Sequence, residues 1–444
     1  MSFPASHPGA PARRTETCVA SPTVTPHSEP THGLSLAPFR ATRFTAPAES
    51  LGLRFSPPYD VVSDKDRAAL VASAETNVVR LILPDADEAA LGGGNRYAGA
   101  KALLDDWVAD GTLAVDPQPA LFVYEMTTPD GGVTRGLVGA VELRDPDDGV
   151  ILPHENTMAG PVSDRLSLMM ATEANLEPIY LVYDGGGAAS EAVAVASEND
   201  PLVETHGTDR VMHRLWAITD PRTLAAIDRD LGHRHALIAD GHHRYATYRQ
   251  LQADHGGAPG PWDRGLALLV DTSSYGPQVH PIHRVVSMAW DTILAATRAS
   301  GSVSEVMSVS EAEKVLSDSE SFALVLAQRD RAVVVTGVSE DAMRAGLGED
   351  AGSTLGRLDV TVLHRVLVEK VWGLTDTVET VGYAHDVEES LRAAGTDRTA
   401  ILMRPTPVRA VADVAAAGAR MPRKSTLFTP KPASGVVLRR FADQ

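Results

Sequence analysis

An Asp-Gly corner followed at once by two histidines and an arginine, Asp240-Gly241-His242-His243-Arg244, carries the residues of this chain best placed to do chemistry. The apolar residues 236–239 before it read as a buried strand, and residues 242–255 after it as a helix. Cations in a first helical turn are ordinarily disfavoured. The macrodipole is already positive there, and the first four N–H groups lack partners. Placing His242, His243 and Arg244 at that end makes sense if an anion sits there, and phosphate is the usual one. Gly241 also lets the backbone approach a ligand closely. The competing reading is a surface turn whose cations pair with nearby carboxylates.

Three further segments could complete such a site. In Leu152-Pro153-His154-Glu155-Asn156-Thr157, Glu155 is the candidate to orient or deprotonate an acceptor hydroxyl, with His154 as phosphate ligand or proton shuttle. Simple support of the loop is the alternative for both. His280 and His283-Arg284 form a second basic cluster, and His283 and Arg284 could join Arg244 in clamping a di- or triphosphate. Two histidines three apart also suggest zinc, but no third ligand stands at a diagnostic spacing, so no dedicated metal site is expected. Mg2+ carried by a nucleotide needs only one or two carboxylates, for which Asp240 and Glu155 are candidates. Near the C-terminus, Arg423, Lys424, Ser425 and Thr426 combine cations, hydroxyls and backbone donors in a loop, and Lys431 adds charge. The alternative for that loop is an ordinary basic surface turn. Pro57-Pro58 imposes a rigid corner from which Tyr59 and Asp60 either face a ligand or serve only the turn.

The 444 residues suffice for two or three domains and a sizeable core. A net charge of -18 argues against broad nucleic-acid or anionic-membrane binding, while leaving room for a local basic pocket. No apolar run approaches the length of a membrane span. Cys18 is the only cysteine, which excludes an internal disulfide framework and any polythiolate zinc site. A cytoplasmic location is expected.

The elements that must position these residues alternate along the chain. Residues 1–36 lack hydrophobic periodicity and read as a disordered tail. Strands are expected at 77–83, 121–126, 134–143, 179–183, 211–218, 236–239 and 265–271, with helices at 96–110, after Asp220-Pro221, and after the motif corner. Beyond 288 the pattern restarts, with helices at 290–299, 310–317 and 359–372 and strands at 322–327, 332–337 and 399–404. The expected fold is mixed α/β (α+β), with parallel and antiparallel pairing. A main domain spans 37–290 and a smaller α/β domain 300–444, and the ligand pocket is expected between them.

The segment ADGHHRYATY (239–248) resembles the phosphate-binding turn of the ParB and sulfiredoxin superfamily, which also includes an ADP-dependent free-serine kinase of archaea. Gly241, His243, Arg244 and Tyr245 match the sulfiredoxin string, but His242 stands where its catalytic cysteine would be. The resemblance therefore implies nucleotide binding without sulfinic-acid reduction. More widely, APFR (37–40), PPYDV (57–61), NVVRLILP (77–84), LPHENT (152–157), HPIHRV (280–285) and MPRKSTLFTPK (421–431) resemble domain-of-unknown-function family 1015 over residues 36–444.

Together these imply a nucleotide-dependent phosphotransferase acting on a small hydroxy-amino acid, most sharply a free-serine kinase. ATP or ADP would be the cofactor, with Mg2+, and a phosphorylated small molecule the partner. Two alternatives are carried forward: a phosphoserine phosphatase or reverse transfer at the same residues, and a nucleotide-binding regulator of the ParB type. Nucleic-acid and membrane partners are not expected, and oligomeric state is left open.

Overall fold

The computed structural model describes residue 1 and residues 33–444, apart from Val378. Most of the segment read from sequence as a tail lies outside the described residues. Its last part is docked. Gly33 and Leu34 donate backbone hydrogen bonds to the carbonyls of Gly232 and Arg234, and Leu36–Ala37 pairs antiparallel with Val133–Glu142.

Two large sheets organise the described chain, a mixed α/β architecture with several sheets. The first runs, in spatial order, Ile151–Leu152, Ala236–Asp240, Ile179–Tyr183, Arg264–Asp271, Val133–Glu142, Leu121–Thr127, Met212–Ile218 and Val203–His206, with Leu36–Ala37 as a branch. Two of its pairings are parallel, Ala236–Asp240 with Ile151–Leu152 and Arg264–Asp271 with Ile179–Tyr183. Its central strands are buried along nearly their whole length, as strands covered on both faces must be. The second sheet is antiparallel and runs Gly301–Val303, Arg331–Val338, Leu324–Gln328, Thr399–Leu402, His283–Val286 and Val381–Ala384, with Met307–Ser308 beside Arg331–Val338.

The two sheets share one core. A single buried cluster contains Tyr180 and Leu268 from the first and Leu326, Val335 and Ile401 from the second. The C-terminal segment ties them further. Leu427–Thr429 pairs with Gln278–His280, and Arg439–Arg440 pairs with Ala174–Asn175 beside the first sheet. Among the described residues no helix is long and apolar enough to cross a membrane.

One expected strand is not a strand. Residues 77–83 contain the short helix Val79–Ile82, whose first N–H is taken by the Asn77 side chain. Its Oδ1 accepts the Val79 N–H at 2.8 Å while its Nδ2 donates to the carbonyls of Leu53 and Phe55. An apolar run interrupted only by Arg80 fits either a buried strand or a buried helix, and the asparagine favours the helix here.

Candidate functional site

The motif folds as its residues dictate. The strand Ala236–Asp240 ends at Gly241, whose φ of 92° lies in the left-handed region, and the helix His242–Asp254 starts immediately. Tyr245 and Tyr248 anchor the helix by donating to the carbonyls of Arg144 and Glu177. No side chain caps its N-terminus, so the first-turn N–H groups keep their donor capacity.

The expected pile of cations at this end is largely neutral. His242 is buried, which with His243 nearby lowers its pKa to about 3. Its Nε2 accepts the backbone N–H of His154 at 3.3 Å, so its ring proton sits on Nδ1, 4.0 Å from Glu155 Oε2. His154 packs edge-on to it at 4.5 Å, and burial, then His242, lowers its pKa to about 3. His243 is also held below the ordinary histidine value, first by burial and against the pull of Glu155 and Asp60. Its Nε2 accepts the Met158 N–H at 3.0 Å, which places the ring proton on Nδ1.

Arg244, expected to grip the phosphate directly, is turned inward. Only 3 % exposed, it donates to the Pro178 carbonyl and to Asp240 Oδ2 at 2.5 Å. Its Nε is buried without a partner. Burial alone would lower its pKa, but Asp240 and Glu177 more than offset that. The other Asp240 oxygen takes Lys431 Nζ at 2.5 Å, and Lys431 reaches Asp60 Oδ2 at 3.1 Å. The result is a chain of alternating charge, Arg244–Asp240–Lys431–Asp60. Both Asp240 oxygens are occupied by cations, so the metal contact expected of Asp240 is not open. Asp60 is held below the usual carboxylate range, Lys431 and Arg244 together outweighing its burial. Lys431 is raised because Asp240 and Asp60 outweigh burial.

Glu155 stands opposite, joined to the C-terminal loop. Its Oε1 accepts the Lys424 backbone N–H at 3.0 Å. His154 Nε2 shares a hydrogen bond with Thr426 Oγ1 at 3.0 Å, and the His154 carbonyl accepts the Met421 N–H. Ser425 and Thr426 therefore spend their hydroxyls within the structure, Ser425 on the Pro422 carbonyl. Lys424 has a φ of 54° and is exposed, and Arg423 pairs loosely with Asp376 at 3.4 Å.

The second basic cluster divides in two, because neighbours on a strand face opposite ways. Arg284, 1 % exposed, donates to the carbonyls of Ile282 and Lys424 and to His364 Nε2, and His364 in turn bonds Asp376 at 2.9 Å. Burial lowers its pKa to about 10. It supports the loop from beneath rather than clamping a phosphate. His283 points to the other face, where its Nδ1 accepts the Met403 N–H at 3.1 Å.

Tyr383 escaped the sequence reading. Its ring lies 5.1 Å from the Arg284 guanidinium and its hydroxyl is buried without a partner. Burial raises its pKa, with Arg284, Arg423, Asp376 and Glu155 all close enough to act on it. A tyrosine in a plain strand carries no local signal. Among the described residues no group of three or more His, Cys, Asp or Glu could hold a metal ion. A cavity of about 420 Å³ shares Lys431 with the site, and one of about 870 Å³ is lined by His280 and His283. Neither is lined by Gly241, His243 or Glu155.

Comparison with known proteins gives a family and little more. No curated protein matches the chain. Among solved structures, a mutant free serine kinase in complex with ADP is 16% identical, covering 63% of this chain and 84% of that one at a TM-score of 0.33. A conserved hypothetical protein from Pyrococcus furiosus is 15% identical over 66% of this chain and 94% of its own, TM-score 0.33. SbnI with a C-terminal truncation, from Staphylococcus aureus, is 10% identical over 68% and 86%, TM-score 0.35. Scores of this size do not establish a shared fold. Residues 36–361, well over half of the sequence, match the family described as a protein of unknown function, DUF1015, and the chain belongs to that family.

Proposed function

We propose that this protein is a nucleotide-dependent phosphotransferase that phosphorylates the hydroxyl of a small hydroxy-amino acid, free serine being the sharpest case. One observation carries the reading. A partly exposed carboxylate, Glu155, is fixed by the Lys424 N–H beside an uncapped helix start and a neutral His243 with a ring N–H to spare.

The residues present offer donors suited to phosphate oxygens. The first-turn N–H groups of His242–Asp254 and the Nδ1–H of His243 donate to phosphate oxygens without needing an unpaired cation. Lys424 adds positive charge from an exposed position on the loop, and the half-buried Arg423 adds more beside Asp376. ATP or ADP bound there supplies the phosphoryl group. Mg2+ arriving with it would have Glu155 as its carboxylate, Asp240 being saturated and Asp60 paired with Lys431.

Glu155 accepts the proton of the acceptor hydroxyl as that oxygen bonds to phosphorus and the bond to the nucleotide's leaving oxygen breaks. The Lys424 N–H orients the carboxylate, and the His242 Nδ1–H faces it from 4.0 Å. Arg244 acts through Asp240, and Arg284 through the Lys424 carbonyl, so both are positioning residues.

Phosphorus NMR with ATP or ADP and a panel of hydroxy-amino acids tests this. Glu155→Gln should lower turnover about 10²–10⁴-fold, the usual contribution of a general base, while nucleotide affinity is retained. Wild-type turnover in that variant overturns the role of Glu155. Nucleotide binding with no turnover for any acceptor overturns the enzyme in favour of a nucleotide-responsive regulator.

A further inference from the structure

The HPIHRV segment contributes two histidines to a cavity the proposed reaction does not use. We propose that this cavity, of about 870 Å³, binds a free α-amino acid with an apolar side chain and is mechanically coupled to loop residues 422–426. The volume falls within the range of small-molecule sites.

The lining chemistry calls for a zwitterion. His283 is 4 % exposed, and its Nδ1 is occupied by the Met403 N–H. Its ring proton is therefore on Nε2, which has no protein partner among the described residues and serves the cavity as a neutral donor. Burial, then the adjacent Arg284, lowers its pKa to about 4 and keeps it in that form. Arg357 also lines the cavity and is exposed, with no ion-pair partner among the described residues. Arg404 is different. It is committed to Asp359 at 2.6 Å and to the carbonyls of Ser319 and Ser321. A carboxylate is thus met by Arg357 and the His283 N–H.

Glu313 and Glu320 line the same cavity, and neither is ion-paired among the described residues. They suit an ammonium group and disfavour a phosphate. Leu316, Leu358, Leu402 and Met403 supply the apolar wall.

Two connections reach the candidate site. His283 faces the cavity while its neighbour Arg284 holds the Lys424 carbonyl at 2.8 Å. Thr406, in the cavity wall, donates to the Ser425 carbonyl at 3.2 Å. Both strain or relax the loop whose Lys424 N–H holds Glu155. The proposal does not depend on the phosphotransferase reading.

Isothermal titration of the full chain with each of the twenty amino acids, in the absence of nucleotide, tests it. An apolar amino acid such as leucine should bind, with its decarboxylated amine (3-methylbutan-1-amine) and deaminated acid (4-methylpentanoate) each at least about tenfold weaker. Arg357→Ala, at an exposed position, and Glu320→Gln should each weaken binding about tenfold, whereas Glu155→Gln leaves it unchanged. Absence of amino-acid binding, or wild-type affinity in Arg357→Ala, overturns the site. Binding lost in Glu155→Gln but kept in Arg357→Ala overturns it too, by moving the ligand to the motif. Hydrogen exchange at residues 423–426 should change on saturation with the amino acid, and an unchanged rate overturns the coupling.

Discussion

Replacing Gly241 by alanine tests the corner on which the candidate site is built, and Gly131 provides its control. Gly241 has φ +92° and Gly131, in the turn between Leu121–Thr127 and Val133–Glu142, has φ +90°. An L residue in left-handed backbone costs about 1–2 kcal/mol, so that contribution is common to both substitutions. The surroundings differ. A Cβ at Gly131 meets nothing within 4 Å, whereas one at Gly241 meets Arg244 Nε at 3.1 Å and Cζ at 3.2 Å. Those atoms cannot simply swing away, because Asp240 and the Pro178 carbonyl hold the guanidinium in a buried position. Shifting it by a few tenths of an ångström weakens two charge-assisted hydrogen bonds, worth about another 1–2 kcal/mol. Gly131→Ala should therefore lose about 1–2 kcal/mol and Gly241→Ala about 2–4 kcal/mol. Equilibrium urea unfolding, read from midpoints at a common slope, measures both. If Gly241→Ala is no more damaging than Gly131→Ala, the guanidinium is not pinned as described, and the chain Arg244–Asp240–Lys431–Asp60 loses its anchor.

Two other substitutions probe buried polar groups. Lys431→Met leaves Asp60 unpaired, but Asp60 is about a third exposed and Asp240 keeps Arg244, so the loss at neutral pH should be about 1–3 kcal/mol, below that of a fully buried pair. Asp60 has a lowered pKa, so its contribution is present above the unfolded value near 4 and fades as pH falls through the folded one. Lys431 has a raised pKa, so its contribution is present below about 10.4 and fades as pH rises through the folded value. The stability gap between wild type and variant should thus be full between about pH 5 and 10 and narrow on both sides, and a gap that ignores pH counts against the network. In Tyr124→Phe, the lost hydroxyl is the one that shares a hydrogen bond with His213 Nδ1 at 2.8 Å while accepting from the Ala433 N–H. Stranding that buried nitrogen should cost about 1–3 kcal/mol in urea unfolding, and a loss below about 0.5 kcal/mol would contradict the hydrogen bond.

Much of the local structure was legible because near neighbours determine it. Alternating and continuous apolar runs marked Leu121–Thr127, Ile179–Tyr183 and Arg264–Asp271, and Asp220-Pro221 marked the start of a helix that the Asp220 side chain caps. The Asp-Gly corner, the strand before it and the helix after it followed from the same rules. Residues 77–83 failed them, since an apolar run has no period to read and the deciding contacts of Asn77 lie with Leu53 and Phe55.

Chemistry-bearing residue types were legible too, but their roles were not. Sequence alone placed Gly241, His243, Glu155 and Lys424 among the candidates, and the fold brings the last two together across a separation of 269 residues. Only the tertiary structure decided that His242 and His154 are neutral, that Arg244 is taken by Asp240, and that Arg284 and His283 serve opposite faces of one strand. The reason is electrostatic. A side chain's charge and reach depend on burial and on partners such as Lys431, which come from remote parts of the chain.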